Sequence, residues 1–388
     1  MTRVPRAVAS STVDSRQKKS QILLTMGLLS LPNETEPDNE TLEMLENDYI
    51  AVILPVAYSI VALIGIPGNL FSLWILMFHT RPITSSIILM INLSITDLVL
   101  AAFLPFQVVY HIYRSDWIFG KPLCTLVTVL YYANMYSSLL TIMLISIERY
   151  LGVVHPMKSG MWRRKRYAIA AVIIIWILVM FILYPLLKTD LTYDVKHLKK
   201  RTCFDVLKWT MLPNLMAWAA FIISLFLFYF LLPLIVTVIC YVLIILKLVQ
   251  TSNRYGRGQE RRSIHLALMV LLVFITCFAP SNFILLVHAI NRLFFNKSYY
   301  HAYKLSLTTS SLSSCLDPFL YYFASKDFRK KAKEVWAKKV KQNETCETRR
   351  SSIFSALSGR SLTISSGHGE VFENGHTHRN CKRQESDV

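Results

Sequence analysis

Charge is what this 388-residue chain has least of: 17% of its residues are Asp, Glu, Lys or Arg, against about 25% in a soluble globular domain. The shortage argues against a water-soluble fold, because the matching apolar excess is concentrated rather than spread. Seven blocks, near residues 50–77, 86–110, 121–151, 167–187, 216–247, 264–290 and 301–323, each supply the ~20 apolar residues that a helix needs to cross a bilayer. An internal repeat is missing too, which disfavours the repeat-built transporters. There is no zinc-ligand spacing and no Ser/His pair suited to nucleophilic catalysis, so no enzyme is expected. Residues 1–25 have no signal-peptide pattern, since the apolar run Ile22–Leu29 is short; Met26 offers a second start.

What charge there is lies unevenly. The net +18 gathers in three places: Lys158 and Arg163 to Arg166, then Arg254, Arg257, Arg261 and Arg262, then Lys326, Arg329, Lys330, Lys331 and Lys333. In a seven-helix bundle these all fall on one side, which argues against nucleic acid as the partner. Met26 to Tyr49 has no Lys or Arg. The positive-inside rule therefore expects a plasma-membrane protein with its N-terminus outside and its C-terminus in the cytoplasm. The loop at 188–214 runs against the trend, with Lys196, Lys199, Lys200 and Arg201.

On this topology only Cys124 and Cys203, of seven cysteines, face the oxidising side. A disulfide between them is expected, worth about 2–4 kcal/mol; two free thiols are the alternative. Cys240, Cys277 and Cys315 read as packing residues, and Cys346 and Cys381 lie in the tail. Glycosylation is expected at Asn33, Asn39 and Asn296, but not at Asn92 inside a span or at Asn343 in the cytoplasm.

The chain divides into an extracellular, glycosylated and disordered tail (1–49), a seven-transmembrane bundle (50–323), a membrane-surface helix (324–340) and a disordered cytoplasmic tail (341–388). Phe328, Ala332, Val335 and Trp336 share one face of that short helix, with Lys and Arg opposite, as suits contact with anionic membrane lipids. The Ser/Thr cluster from Ser351 to Ser366 reads equally as kinase sites or as a plain solvated tail.

Ionisable groups inside a membrane helix are costly and are functional candidates by default. Asp97, Ser138 and Asp317 would surround either a sodium ion or a water-filled polar network, and no other cofactor is expected. Arg149, at the end of the third span, must pair or snorkel. Its candidate partners are Glu148 and Glu260, and a simple interfacial anchor is the alternative. Pro233 and Pro280 each remove a backbone bond and permit a kink, with Phe274 and Phe278 beside the second.

In order and spacing these residues resemble the rhodopsin-like (class A) G-protein-coupled receptors. The marks are Gly68-Asn69, Leu93 to Asp97, Trp117 to Gly120 before Cys124, Glu148-Arg149-Tyr150, Trp176, Pro233 with Tyr241, Phe274 to Pro280, and Asp317-Pro318 with Tyr321. Phe278 stands where many members have Trp, Asp317 where Asn is commoner, and Ser313 also replaces an Asn. The resemblance implies an all-α, seven-transmembrane bundle and a heterotrimeric G protein as partner, with arrestin and receptor kinases at a phosphorylated tail. It also implies an activation switch built from Glu148, Arg149, Tyr150, Tyr241, Glu260, Phe278, Pro280, Asp317, Pro318 and Tyr321.

Within the class, Tyr131 to Ser138, Thr202 to Pro213 and Phe323 to Arg329 resemble the branch of metabotropic purinoceptors and protease-activated receptors. Nucleotide-binding members carry basic residues where this chain has Thr128, Leu285 and Leu307. The ligand pocket is expected from Tyr131, Tyr132, Tyr136, Leu285, His288, Arg292, Lys304 and Leu307, with the cations keeping its mouth positive. An extracellular anionic small molecule, nucleotide or lipid-like, follows. The alternatives are a lipid-mediator receptor with partly constitutive signalling and a non-signalling, transporter-like membrane protein. A retinal pigment would need Lys where Ser311 stands, and an amine receptor an acid where Tyr131 stands.

Overall fold

The computed structural model describes residues 39–156, 160, 164–196, 198–205, 212, 215–250, 257–295, 299–324, 328–335 and 337. A short helix, α1 (Asn39–Glu46), precedes the first span. It lies in the tail that was expected to be disordered; Met44 and Leu45 are buried and give it a packed face. Asn47 then caps α2 (Asp48–Trp74), its Oδ1 accepting the Tyr49 N–H at 2.9 Å. A π-helical turn, Ile75–His79, extends α2.

Next come α3 (Ser85–Ile112), α4 (Lys121–Val154) and α5 (Lys165–Lys188). An antiparallel hairpin of β1 (Thr192–Val195) and β2 (Lys200–Cys203) follows, with Thr192 opposite Cys203. Two helices carry π-helical interruptions. The first, α6, joins Leu215–Ser224, a π segment at Leu225–Leu231, and Leu232–Gln250. The second, α7, joins Arg257–Val273, a π turn at Phe274–Phe278, and Ala279–Phe295. Last, α8 comprises Tyr300–Ser311 and Ser313–Ala324, broken at Leu312.

Thus α2 to α8 are the seven expected spans. Six of them, α2 to α7, are long and apolar enough to cross a membrane. Their outward faces stay apolar: Leu63 on α2, Phe181 on α5, Phe228 on α6 and Ile275 on α7 are largely exposed, as a lipid solvent requires. Residues 328–335 are helical, with a Lys331–Glu334 ion pair of 2.9 Å, and belong to a separate unit.

Each expected proline kink coincides with a π segment. Leu232 N–H reaches back five residues to Leu227 O just before Pro233, and Ala279 N–H to Phe274 O just before Pro280. A widened turn is one way for a helix to accommodate the missing proline N–H. The glycine of Gly68-Asn69 has a steric reason. A Cβ on Gly68 would sit 3.3 Å from Pro318 Cγ, so α2 and α8 approach closely there. Asn69 Nδ2 secures the approach, donating to Ser314 O at 2.8 Å and Gly65 O at 3.1 Å. Asn92 holds three helices together: it donates to Thr141 Oγ1 at 3.2 Å and accepts from Trp176 Nε1 at 3.0 Å.

Candidate functional site

The hairpin end of the bundle is organised by one covalent tie. Cys124, at the start of α4, is disulfide-bonded to Cys203 at the end of β2. The hairpin is further anchored by Trp117 N–H to Arg201 O at 2.6 Å and Arg201 N–H to Asp116 Oδ1 at 2.9 Å. The loop's cations are therefore partly used within the protein. Arg201 Nε lies 2.7 Å from Asp194 Oδ1 and holds that carboxyl below the usual carboxylate range, chiefly by hydrogen bonding. Lys200 Nζ donates to Arg114 O at 3.1 Å.

Directly after Cys203 the chain turns inward. Phe204 has φ 59°, left-handed backbone that a bulky aromatic residue rarely adopts. The turn is held by Phe204 N–H to Leu191 O at 2.9 Å and by the Tyr300 hydroxyl on Phe204 O. Asp205 is buried beside it. Its Oδ1 lies 2.5 Å from Lys304 Nζ, the two side chains being 1% and 8% exposed, and its Oδ2 accepts from the Tyr110 hydroxyl. Such a pair is held by geometry and added hydrogen bonds as much as by charge, because desolvating both ions is costly.

Beneath Phe204 lies an apolar cavity of about 30 Å³, walled by Tyr132, Tyr136, Leu183, Leu186, Phe204, Phe221, Ile222, Leu225, Leu285 and Tyr303. Tyr132 is edge-on to Phe204 at 5.6 Å, and its hydroxyl meets that of Tyr303 at 2.9 Å.

Of the eight expected pocket residues, Tyr132, Tyr136 and Leu285 line this cavity. Tyr131 and Leu307 do not; the Tyr131 hydroxyl is bound to Ser311 Oγ at 2.8 Å and to the backbone O of Leu307. His288 accepts the Tyr299 N–H at 3.0 Å. Lys304 is no free cation at the mouth, because Asp205 neutralises it. The Arg292 side chain lies outside the described part of the chain. Sequence reasoning missed Phe204, Asp205, Tyr303 and the α5 and α6 wall. The available signal was the position of Phe204-Asp205 next to the bridged Cys203.

Midway along the bundle, Asp97 Oδ1 accepts from Asn134 Nδ2 and Ser314 Oγ, both at 3.0 Å. Asp317 lies close enough to interact with Asp97. Apart from the contact of the two carboxyls with each other, Asp97 Oδ2 and both Asp317 carboxyl oxygens are buried with no hydrogen-bond partner, as is the Ser138 hydroxyl. This all-oxygen set fits a hard cation.

At the opposite end from the hairpin, the Glu148–Arg149 pair, one of the candidates for Arg149, is not formed. Glu148 instead accepts from Ser85 at 2.7 Å and from Ser86, so the acid ties α4 to α3. Arg149 Nε is buried without a hydrogen-bond partner, and the Tyr241 hydroxyl lies near it, within reach of Ser146. Neighbours on a helix point about 100° apart, which explains why adjacency does not make the pair. The side chain of Glu260 and residues Asn33 and Asn296 lie outside the described part, and Asn39 opens α1. Phe274 and Phe278 are fully buried with ring centroids 5.9 Å apart beside Pro280.

A seven-helix bundle with this disulfide, this central acid network and this proline-linked aromatic pair defines a class of signalling receptor. The family described as 7 transmembrane receptor (rhodopsin family) matches residues 68–321, and the chain belongs to it. It is a G-protein-coupled receptor and a multi-pass membrane protein, not an enzyme. Among its relatives, purinoceptor 8 of Gallus gallus is 59% identical over 334 residues, covering 86% of this chain and 93% of that one. The S-geranylgeranyl-glutathione receptor of Homo sapiens is 53% identical over 358 residues, covering 92% and 99%. Proteinase-activated receptor 1 of Xenopus laevis is 37% identical over 287 residues, covering 74% and 67%.

Proposed function

We propose that this receptor responds to an anionic amphiphile, a molecule with a carboxylate head and a hydrocarbon tail. S-geranylgeranyl-glutathione, named in the human relative, is of that class. The observation that carries the reading is the apolar, aromatic cavity beside one buried lysine. Thr128, Leu285 and Leu307 supply no charge for a polyphosphate, which disfavours a nucleotide. The test is G-protein activation in cells expressing the chain, across all G-protein classes, with S-geranylgeranyl-glutathione and nucleotides applied in turn. A response to the thioether alone is expected; a response to nucleotides alone rejects the reading.

The hairpin end faces outward and the C-terminus lies in the cytoplasm, in keeping with the distribution of Lys and Arg. Ligand binding shifts a two-state equilibrium. The Arg149 end of α7 swings about Pro280, and Arg149, Tyr241 and Tyr321 line the groove that receives the G protein. Sodium at Asp97, Ser138 and Asp317 favours the resting state, supported by the unbonded oxygens gathered there. Phosphorylation of the Ser351 to Ser366 cluster by receptor kinases then recruits arrestin. The short helix after α8, described over 328–335, contacts the inner leaflet through its basic face.

A further inference from the structure

We propose that Phe204 and Asp205 are a plug that imitates the ligand: Asp205 holds the Lys304 ammonium that otherwise receives the ligand's carboxylate, and the Phe204 ring occupies space that otherwise receives its hydrocarbon. The inference rests on the anionic-amphiphile reading and adds how that site is kept closed.

Three observations carry it. First, an apolar ring and a carboxylate stand on consecutive residues, which is the chemistry of the proposed ligand in miniature. One enters the cavity wall, and the other takes the buried lysine. Second, the cavity is too small for such a ligand as it stands. About 30 Å³ holds little more than a water, whereas ligand sites run to roughly 300–1,000 Å³. Something in the wall must leave, and Phe204 is the wall residue on a loop rather than on a helix. Third, among the described residues the plug is held by separable ties, the Phe204 N–H to Leu191 O bond among them. Its backbone sits at φ 59°, and hydroxyls of Tyr110 and Tyr300 retain it from α3 and α8. The disulfide stops at Cys203, so residues 204–205 can lift while the hairpin stays in place. Tyr303, next to Lys304, lines the cavity and joins the head and tail subsites.

A ligand of this kind competes with Asp205 for one cation, so removing Asp205 raises the fraction of binding-competent receptor. The experiment measures binding of radiolabelled S-geranylgeranyl-glutathione to membranes carrying the full chain. Asp205→Asn is expected to lower the Kd about tenfold, in proportion to the competent fraction gained. Lys304→Gln is expected to raise it, in the parent chain and in the Asp205→Asn background alike. The dimethyl ester of the probe, with no carboxylate, should not lose affinity with Lys304→Gln. If Asp205→Asn and Lys304→Gln weaken both probes by the same factor, the pair is a structural tie and the plug is overturned.

A second measurement does not depend on the ligand. Leu285→Cys places a thiol in the cavity wall, to be labelled with a neutral methanethiosulfonate above the rate of the chain without it. Asp205→Asn, or Phe204→Gly if the first variant fails to reach the surface, should speed labelling several-fold; an unchanged rate overturns the plug. Faster labelling, with no thioether binding to the unsubstituted receptor, rejects the proposed ligand and upholds the plug.

Discussion

Arg149 stands beside the carboxylate that the sequence offers as its partner, yet Glu148 is engaged by Ser85 and Ser86 on α3. The acid braces two helices, and the half-buried arginine keeps its Nε without a hydrogen-bond partner, in keeping with the proposed role in receiving the G protein. Arg149→Ala is therefore expected to abolish G-protein activation while leaving surface expression near that of the parent. Full signalling from the variant would overturn the switch assignment; a reporter assay paired with surface immunostaining reads both. Cys203→Ser, by contrast, should act on folding. Loss of a disulfide in an exported protein costs about 2–5 kcal/mol, and the hairpin would lose its tie to α4. A marked fall in surface receptor and in detergent Tm is expected. The disulfide was legible from two cysteines and a topology. The Lys304–Asp205 pair was not, because residues distant in the chain meet only once the turn at Phe204 is built. Adjacent-residue logic also failed at Glu148, since neighbours on a helix diverge in direction.

Among the elements, α2 to α7 could be read because a bilayer imposes a length and a composition that few other environments demand, whereas α8, broken at Leu312, falls short of that measure and rests on its Asp317-Pro318 motif. The hairpin at 192–203 and the helix at 39–46 could not: neither carries a long apolar run, and both owe their order to contacts with the bundle. The prolines of α6 and α7 were visible, but the π segments before them are matters of hydrogen-bond register that composition does not encode. Pro280→Ala restores the N–H that the proline lacks and should favour a straighter α7. The expected outcome is weaker ligand-driven G-protein activation with unchanged or higher Tm. Gly68→Val probes the closest approach of α2 and α8. Because Pro318 Cγ stands 3.3 Å from where a Cβ at residue 68 would lie, overpacking of about 1–3 kcal/mol is expected. A thermal-shift assay on the purified receptor should register it as a lower Tm.

At the scale of the whole molecule, the apolar faces of the spans call for a lipid solvent, and the clustering of Lys and Arg supports the proposed orientation. If the hairpin end faces outward, glycosidase treatment of surface receptor should lower its apparent mass. Replacing Asn33, Asn39 and Asn296 together by Gln should abolish that shift, and Asn343→Gln should leave it intact. A shift that depends on Asn343 would invert the topology. Family membership was legible from ordered, spaced motifs along most of the chain, whereas the state of the ligand cavity was not. Openness depends on where one loop rests.

The π segments of α6 and α7 also set the aim of the helices that contain them. A wide turn holds more residues than an α turn, so the helix beyond it starts at a different angular phase from the helix before it. The Tyr229 side of α6 and the Leu285 side of α7 are aimed by that phase offset. Loss of a single residue within either segment would let an ordinary α turn close with both halves of the helix keeping their faces, because the wider turn sweeps with one more residue about the angle that an α turn sweeps without it. The same loss in an unbroken α-helix would rotate everything beyond it by about 100°. A helix of this design can thus shed one residue at the segment without re-aiming either half.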